Sequence, residues 1–347
     1  MTRAADSIAP PAPQPRSQTA HALRVALAAT VCLVVVELGR LQHGNLAVWT
    51  THMVMSQYSF TIFQKGVERI VGRGLGILAG LALVTLVPDA PALCLLLEAF
   101  LLLAFAYVYF AGQLAYTFLN AGLYLAAIVE IAHADPETVW SSARGMFLAI
   151  VVGVVVADLV SWLSGAERDL RIQPGGEPLL PVRGVWLSRA LMLVVTTLLT
   201  QFGTRWLGLP AEQALVSVLL LTIAPGIQAL LQKTGLRIVG ALAGVAWAFG
   251  SFFLLIRLPH FPLLLLLLFF GMFVASYLTR TGGTHSYLGL QMGLVLPLVL
   301  VVPAQEFGDF NAAVLRLEGV AAALVSSVLV GAFWPRFSDA PAAPGAS

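Results

Sequence analysis

The sequence predicts an all-α integral membrane protein, with about twelve transmembrane helices in two parallel six-helix repeats related by a pseudo-two-fold axis along the membrane normal. Three observations predict it. Hydrophobic residues make up 59% of the chain and charged ones 10%, where a soluble domain is about a quarter charged. The apolar residues fall into stretches of about 18–24, long enough to cross a hydrocarbon core as helices. The stretch from Gln64 to Gly76, QKGVERIVGRGLG, returns 168 residues later at Gln232 as QKTGLRIVGALAG. Gln64, Lys65, Arg69, Ile70, Val71, Gly72 and Gly76 thus reappear as Gln232, Lys233, Arg237, Ile238, Val239, Gly240 and Gly244, and Lys65 and Lys233 are the chain's only lysines.

Further echoes in the same order extend the motif to a duplicated half-chain. Gly112, Tyr116, Asn120 and Gly122 return as Gly283, Tyr287, Gln291 and Gly293; Arg144 and Trp162 match Arg316 and Trp334, and Arg24 matches Arg189. In chain order, residues 1–19 are rich in Pro, Ala and Ser and read as a disordered cytoplasmic tail rather than a cleaved signal peptide. The first repeat, 20–165, holds spans near 20–39, 45–63, 67–87, 91–110, 113–132 and 141–163. A polar cytoplasmic linker rich in Pro and Gly, 166–182, leads to the second repeat, 183–335. Its spans lie near 185–206, 211–231, 235–256, 261–279, 284–303 and 311–333, and residues 336–347 form a second tail. Pro88, Pro91, Pro136, Pro210, Pro259 and Pro262 punctuate the joins.

Six spans per repeat send both halves into the membrane in the same direction. Of the nineteen Lys and Arg residues, one side of this layout keeps only Arg40, Arg144, Arg205, Arg257 and Arg316. The positive-inside rule therefore places both termini in the cytoplasm. A net charge of +2 gives no reason to expect a nucleic-acid partner, and Cys32 and Cys94 sit within apolar runs, so no disulfide framework, metal or cofactor is implied. The scattered histidines and single interior acids form no H-E-x-x-H, G-x-S-x-G, Walker or paired-acid motif, so the chain does not read as an enzyme.

The candidate functional residues are the polar ones in apolar surroundings. The second span carries Thr50, Thr51, His52, Ser56, Gln57, Ser59 and Thr61, and the second half places Pro225-Gly226 where Gln57-Tyr58 stand. Proline opens a helix there, as transporters do to present helix ends to a substrate. His52 alone reads as a hydrogen-bonded interior histidine ahead of a proton carrier. Tyr116 and Asn120, like Tyr287 and Gln291, are four apart and share one helical face. Their amides need partners or water inside hydrocarbon, so the two faces either line one cavity across the pseudo-two-fold axis or bond helix to helix. Ring faces and amide donors suit a flat aromatic acid. Arg69 and Arg237 fall at predicted cytoplasmic helix starts, either snorkelling to headgroups or facing an anion vestibule, where a guanidinium fork pairs with a carboxylate. The duplicated Arg144 and Arg316 complete the substrate-binding set. Gly72 and Gly76 offer a small-residue face for close helix approach. Interior acids are Glu37, Glu98, Glu130, Asp158 and Glu318, none of them duplicated, and the deeper Glu98 and Asp158 are the candidates for proton coupling.

Trp49-Thr50, then Gln57, then the K-G-x-x-R-x-x-G-x-x-x-G run from Lys65 to Gly76 resemble the fusaric acid resistance and aromatic acid exporter superfamily. The likeness extends to both halves and is that of a compact form lacking the large cytoplasmic domain of better-known members. The resemblance implies a bacterial inner-membrane exporter of organic, chiefly aromatic, carboxylic acids, acting beside a periplasmic adaptor protein, with plant malate channels as distant relatives. Its other expected partners are membrane lipid, the small organic anion itself and a second copy in a homodimer. Proton antiport is one mode. Uniport is another, since an anion leaving a cell gains about 2.3 kcal/mol per 100 mV, a gradient of roughly 50-fold at about 1.4 kcal/mol per tenfold. An anion channel and a non-transporting scaffold subunit of an efflux assembly remain as alternatives.

Overall fold

The computed structural model describes residues 15–56, 62–112, 114–165, 183–209, 211–218, 224, 226–301 and 310–334. Gln57, the linker 166–182 and the two terminal tails lie outside them, apart from the last residues of the first tail, which join the first helix. Among the described residues the chain forms twelve helices and no strand. They are α1 (Pro15–Leu38), α2 (Gly44–Ser56), α3 (Ile62–Leu86), α4 (Pro91–Phe110), α5 (Ala115–Ala134), α6 (Val139–Leu163), α7 (Arg183–Leu207), α8 (Ala211–Val218), α9 (Ile227–Arg257), α10 (Phe261–Thr279), α11 (Gly283–Leu300) and α12 (Phe310–Phe333). By length and composition α1, α3, α4, α5, α6, α7, α9 and α10 can each cross a membrane, while α11 and α12 contain shorter apolar stretches, His285–Leu300 and Leu317–Phe333. The protein is a multi-pass membrane protein.

Prolines and glycines set the boundaries. Pro91 and Pro262 open α4 and α10 in the first turn, where a missing N–H costs no intrahelical bond. Gly226 is fully extended at the start of α9, and Pro225, the other residue of the break expected from the sequence, lies outside the described residues. Two starts differ from expectation. α3 begins at Ile62 and α9 at Ile227, so the repeated Gln-Lys motif lies inside each helix rather than in the join before it. Nothing between Ile62 and Val67 stops a helix: proline is absent, and Gly66 is held against Val154 and Asp158 of α6.

The tightest helix pairs are α3 with α5 and α9 with α11. Both are parallel, because successive glycines of one helix meet successive residues of the other. A Cβ on Gly72 would stand 2.9 Å from the Thr117 carbonyl carbon, and one on Gly76 would stand 3.0 Å from Ala121 Cα. Gly240 and Gly244 come as near to the Leu288 and Met292 carbonyl oxygens, at 2.7 and 2.9 Å from a built Cβ. The small-residue faces thus serve close helix packing. Around these pairs, α4 lies on α5 and α7, α10 on α11 and α1, α2 on α6 and α11, and α8 on α12 and α5. The largest buried apolar cluster runs from Leu33, Val48, Ile150 and Val154 into Phe252, Leu268, Met272 and Leu296, so the two halves share one core.

A candidate anion site on a buried cation ladder

On α3, Lys65, Arg69 and Arg73 are spaced four apart and therefore form one stripe. All three are buried to 1% exposure or less. The stripe faces a second one on α5, made by Tyr116, Asn120 and Tyr124 at the same spacing. Because the two helices run in parallel, the rungs meet in order. Arg69 Nη1 donates to the Tyr116 hydroxyl. Arg73 Nε donates to Asn120 Oδ1 at 3.2 Å, and Arg73 Nη1 to Thr50 Oγ1 of α2 at 3.1 Å. The Asn120 amide in turn donates to the Tyr116 carbonyl at 2.7 Å. Trp49 of α2 lies against both guanidiniums, 4.7 Å from Arg69 Cζ and 4.9 Å from Arg73 Cζ, and Tyr124 lies 4.5 Å from Arg73 Cζ.

The oxygens that receive these hydrogen bonds are all neutral. Arg69 Nε and Nη2, Arg73 Nη2 and Lys65 Nζ are buried with no hydrogen-bond acceptor among the described residues. Asp158 of α6 borders Gly66 of α3, and Glu68 accepts from Gln64 on the exposed side of α3. Burying an ion costs several kcal/mol after relaxation. Each cation–π contact returns about 0.5–2 kcal/mol, and a hydrogen bond from a charged group about 1.5–3 kcal/mol. The two arginines leave guanidinium edges unused, so the ladder has capacity for an acceptor that the described residues do not supply.

The second half carries a shorter version. Arg237 of α9 donates to Gln291 Oε1 at 2.7 Å and to Ser217 Oγ at 2.9 Å, and hydrogen-bonds Tyr287. One arginine here serves the tyrosine and the amide that Arg69 and Arg73 share in the first half, because Ala241 occupies the place of Arg73. Arg69 and Arg237 are thus interior residues, not headgroup-facing ones. The aromatic-amide faces are each bound by an arginine of their own half, rather than lining one cavity across the two.

The remaining predicted residues are dispersed. His52 is fully buried, bonded to Ser56 Oγ at 3.2 Å and packed against Gly293, where α2 meets α11. Arg144 is exposed near the start of α6, away from the ladder. Arg316 lies on α12, its side chain outside the described residues. Asp158 stands beside the ladder's first rung. Glu98 of α4 belongs to a different cluster. It is fully buried and accepts from Gln201 Nε2 of α7 at 2.7 Å, and one turn further along, Arg205 pairs with Glu130 at 2.7 Å. Between the two clusters lies an apolar crevice of about 440 Å³, counting its open mouth, lined by Leu102, Tyr109, Leu119, Leu123, Leu193 and Thr197 among others. Its size suits a small ligand, yet its described lining includes no charged group, so it cannot be what recognises an anion.

Sequence reasoning missed Arg73, Trp49, Tyr124 and Gln201 as functional residues. Arg73 and Tyr124 each continue a stripe by one more step of four, which was the available signal. Gln201 follows a run of buried threonines at Thr196, Thr197 and Thr200 on α7. Among known proteins, the model of the fusaric acid resistance protein family matches residues 18–173, which cover α1 from its second turn through α6. No curated protein and no solved structure matches the chain. Over residues 18–173, a little less than half of its length, the chain is similar to the fusaric acid resistance protein family.

Proposed function

We propose that the protein exports organic acids, aromatic carboxylates in particular, and that Arg69, Arg73 and Lys65 bind the carboxylate while Trp49 and Tyr124 hold the ring. The observation that carries this reading is the set of buried guanidinium edges with no acceptor among the described residues. A carboxylate offers two oxygens to the Nε and Nη2 edge of Arg69, the bidentate geometry that a planar fork favours. Trp49 already shows that a ring face is accommodated against both cations. Similarity to the fusaric acid resistance protein family over residues 18–173 supports a membrane transporter role.

The architectural reading is that residues 20–165 and 183–335 are parallel six-helix repeats giving twelve spans, with both termini in the cytoplasm of a bacterial inner membrane. Packing supports it: exchanging the halves turns α3 on α5 into α9 on α11, α4 on α7 into α10 on α1, and α2 on α11 into α8 on α5.

Flux of labelled benzoate and hydroxybenzoates in proteoliposomes, with membrane potential and pH gradient imposed separately, tests the function. Saturable flux that falls at least tenfold in Arg73→Gln supports the reading. Flux indistinguishable from empty liposomes contradicts it.

A further inference from the structure

We propose that Glu98 and Gln201 form a proton-binding acid–amide latch between the two halves, whose opening and closing couples proton movement to transport. The observation is a pair of orphans. Gln201 Nε2 donates to Glu98 Oε1 at 2.7 Å and to the Ala126 carbonyl at 3.3 Å, which fixes the amide orientation because both partners only accept. Its carbonyl Oε1 and the second carboxylate oxygen, Glu98 Oε2, are both buried without a partner. Two side chains already joined by one hydrogen bond therefore each hold one unused acceptor.

A single proton resolves both. Added to Glu98 Oε2, it makes an O–H that donates to Gln201 Oε1, while Gln201 Nε2 keeps donating to Glu98 Oε1. The result is a closed ring of two hydrogen bonds with no net charge, in a site where Glu98 is fully buried and Gln201 is 2% exposed. Loss of the proton returns a carboxylate, leaves one hydrogen bond, and sets two acceptor oxygens side by side. Arg205 is the cation near enough to feel that charge, but among the described residues no cation bonds to Glu98. Arg205 of α7 is committed to Glu130 of α5 through Nε at 2.8 and 3.0 Å and Nη2 at 2.7 Å. Glu130 is itself a like charge, Cys94 lies one turn away on α4, and α3 beyond Arg73 carries no titratable group. A carboxylate between helices with no cation bonded to it favours separation and hydration. Because α4 belongs to one half and α7 to the other, protonation ties the halves and deprotonation frees them.

The site lies further along α5 than the rung at Asn120, on α4 and α7 rather than on α3. Gln201 meets α5 at Ala126, six residues and about 9 Å along the helix from Asn120, so substrate and proton occupy separate sites coupled through the packing of one helix. The coupling role, though not the proton site, rests on the transport function proposed above.

Infrared spectroscopy of the protein in lipid nanodiscs near neutral pH tests the site without any substrate. The expected result is a protonated-carboxyl C=O band that disappears in Glu98→Gln and moves to higher frequency in Gln201→Leu, where its hydrogen-bond partners are gone. Glu98→Gln keeps both hydrogen bonds as an amide–amide pair, so it is expected to fold. A missing band in the wild type, a band that survives Glu98→Gln, or one unmoved by Gln201→Leu overturns the latch. In proteoliposomes, Glu98→Gln is expected to keep exchange of labelled benzoate at equal concentrations and to lose accumulation driven by a pH gradient. Retained accumulation overturns the coupling. A wild type that moves no acid overturns the transport function instead, and the infrared result still decides the proton site.

Discussion

At the residue scale, Arg73 carries the most information and was the least legible. In the sequence it is one more cation near a helix start, counted towards the orientation of the chain. Its role emerges only when α3 is extended back to Ile62 and Lys65, Arg69 and Arg73 fall on one buried stripe. Arg69, Tyr116 and Asn120 were legible because duplication marked them; Arg73 was not, since the second half has Ala241 in its place. A bound carboxylate interacting with Arg73 gains a charge-assisted hydrogen bond of about 1.5–3 kcal/mol. Arg73→Gln is therefore expected to weaken benzoate binding by roughly ten- to a hundredfold in a titration calorimeter, with the fold retained. Arg69→Lys tests the fork: lysine keeps the charge and loses the planar edge, so the expected result is a loss of affinity comparable to that in Arg69→Gln. Full affinity in Arg69→Lys would reduce Arg69 to a point charge.

At the element scale, the parallel pairing of α3 with α5 sets the register of the ladder. Gly72 and Gly76 bring the backbones together, and that approach aligns each cation with its rung on α5. A valine at Gly76 would drive a side chain into the Ala121 backbone, a contact that no rotamer relieves. Overpacking of this kind costs about 1–3 kcal/mol or more. Gly76→Val is expected to lower the melting temperature in a thermal-shift assay and to reduce benzoate affinity, although no ligand contact is touched. Gly203, with open space around its Cβ position, is the control: Gly203→Ala should change neither. The glycine spacing announced a packing face from sequence alone, but not its partner helix, because a small-residue stripe specifies close approach and not what approaches. The polar face of α7 was hidden for a related reason. Threonines satisfy themselves by bonding back one turn, as Thr196 does to Met192 and Thr204 to Thr200, so their presence in an apolar helix does not single out Gln201.

At the scale of the whole molecule, composition and span length gave the all-helical membrane class, while the pairing of helices came only with the structure. Helix ends were less legible, since the Gln-Lys motif contains nothing that stops a helix and only packing decides that it lies inside one. The two halves share an apolar core and meet at polar contacts that include His52 against α11, Glu98 with Gln201, Glu130 with Arg205 and His21 with Arg280. Single cysteines placed in residues 1–14 and 335–347 of a variant with Cys32 and Cys94 replaced should label from the same side of the membrane. Labelling from opposite sides would rule out two parallel six-helix repeats. The central claim is that an organic anion occupies the buried cation ladder. Calorimetric titration of benzoate, with benzyl alcohol as a neutral ligand of similar shape, into wild type and Arg69→Gln/Arg73→Gln in lipid nanodiscs tests it most directly. The account predicts saturable benzoate binding in the wild type, none of it in the double variant, and no comparable binding of the alcohol in either. Equal benzoate affinity in both proteins, or equal binding of acid and alcohol, would contradict it.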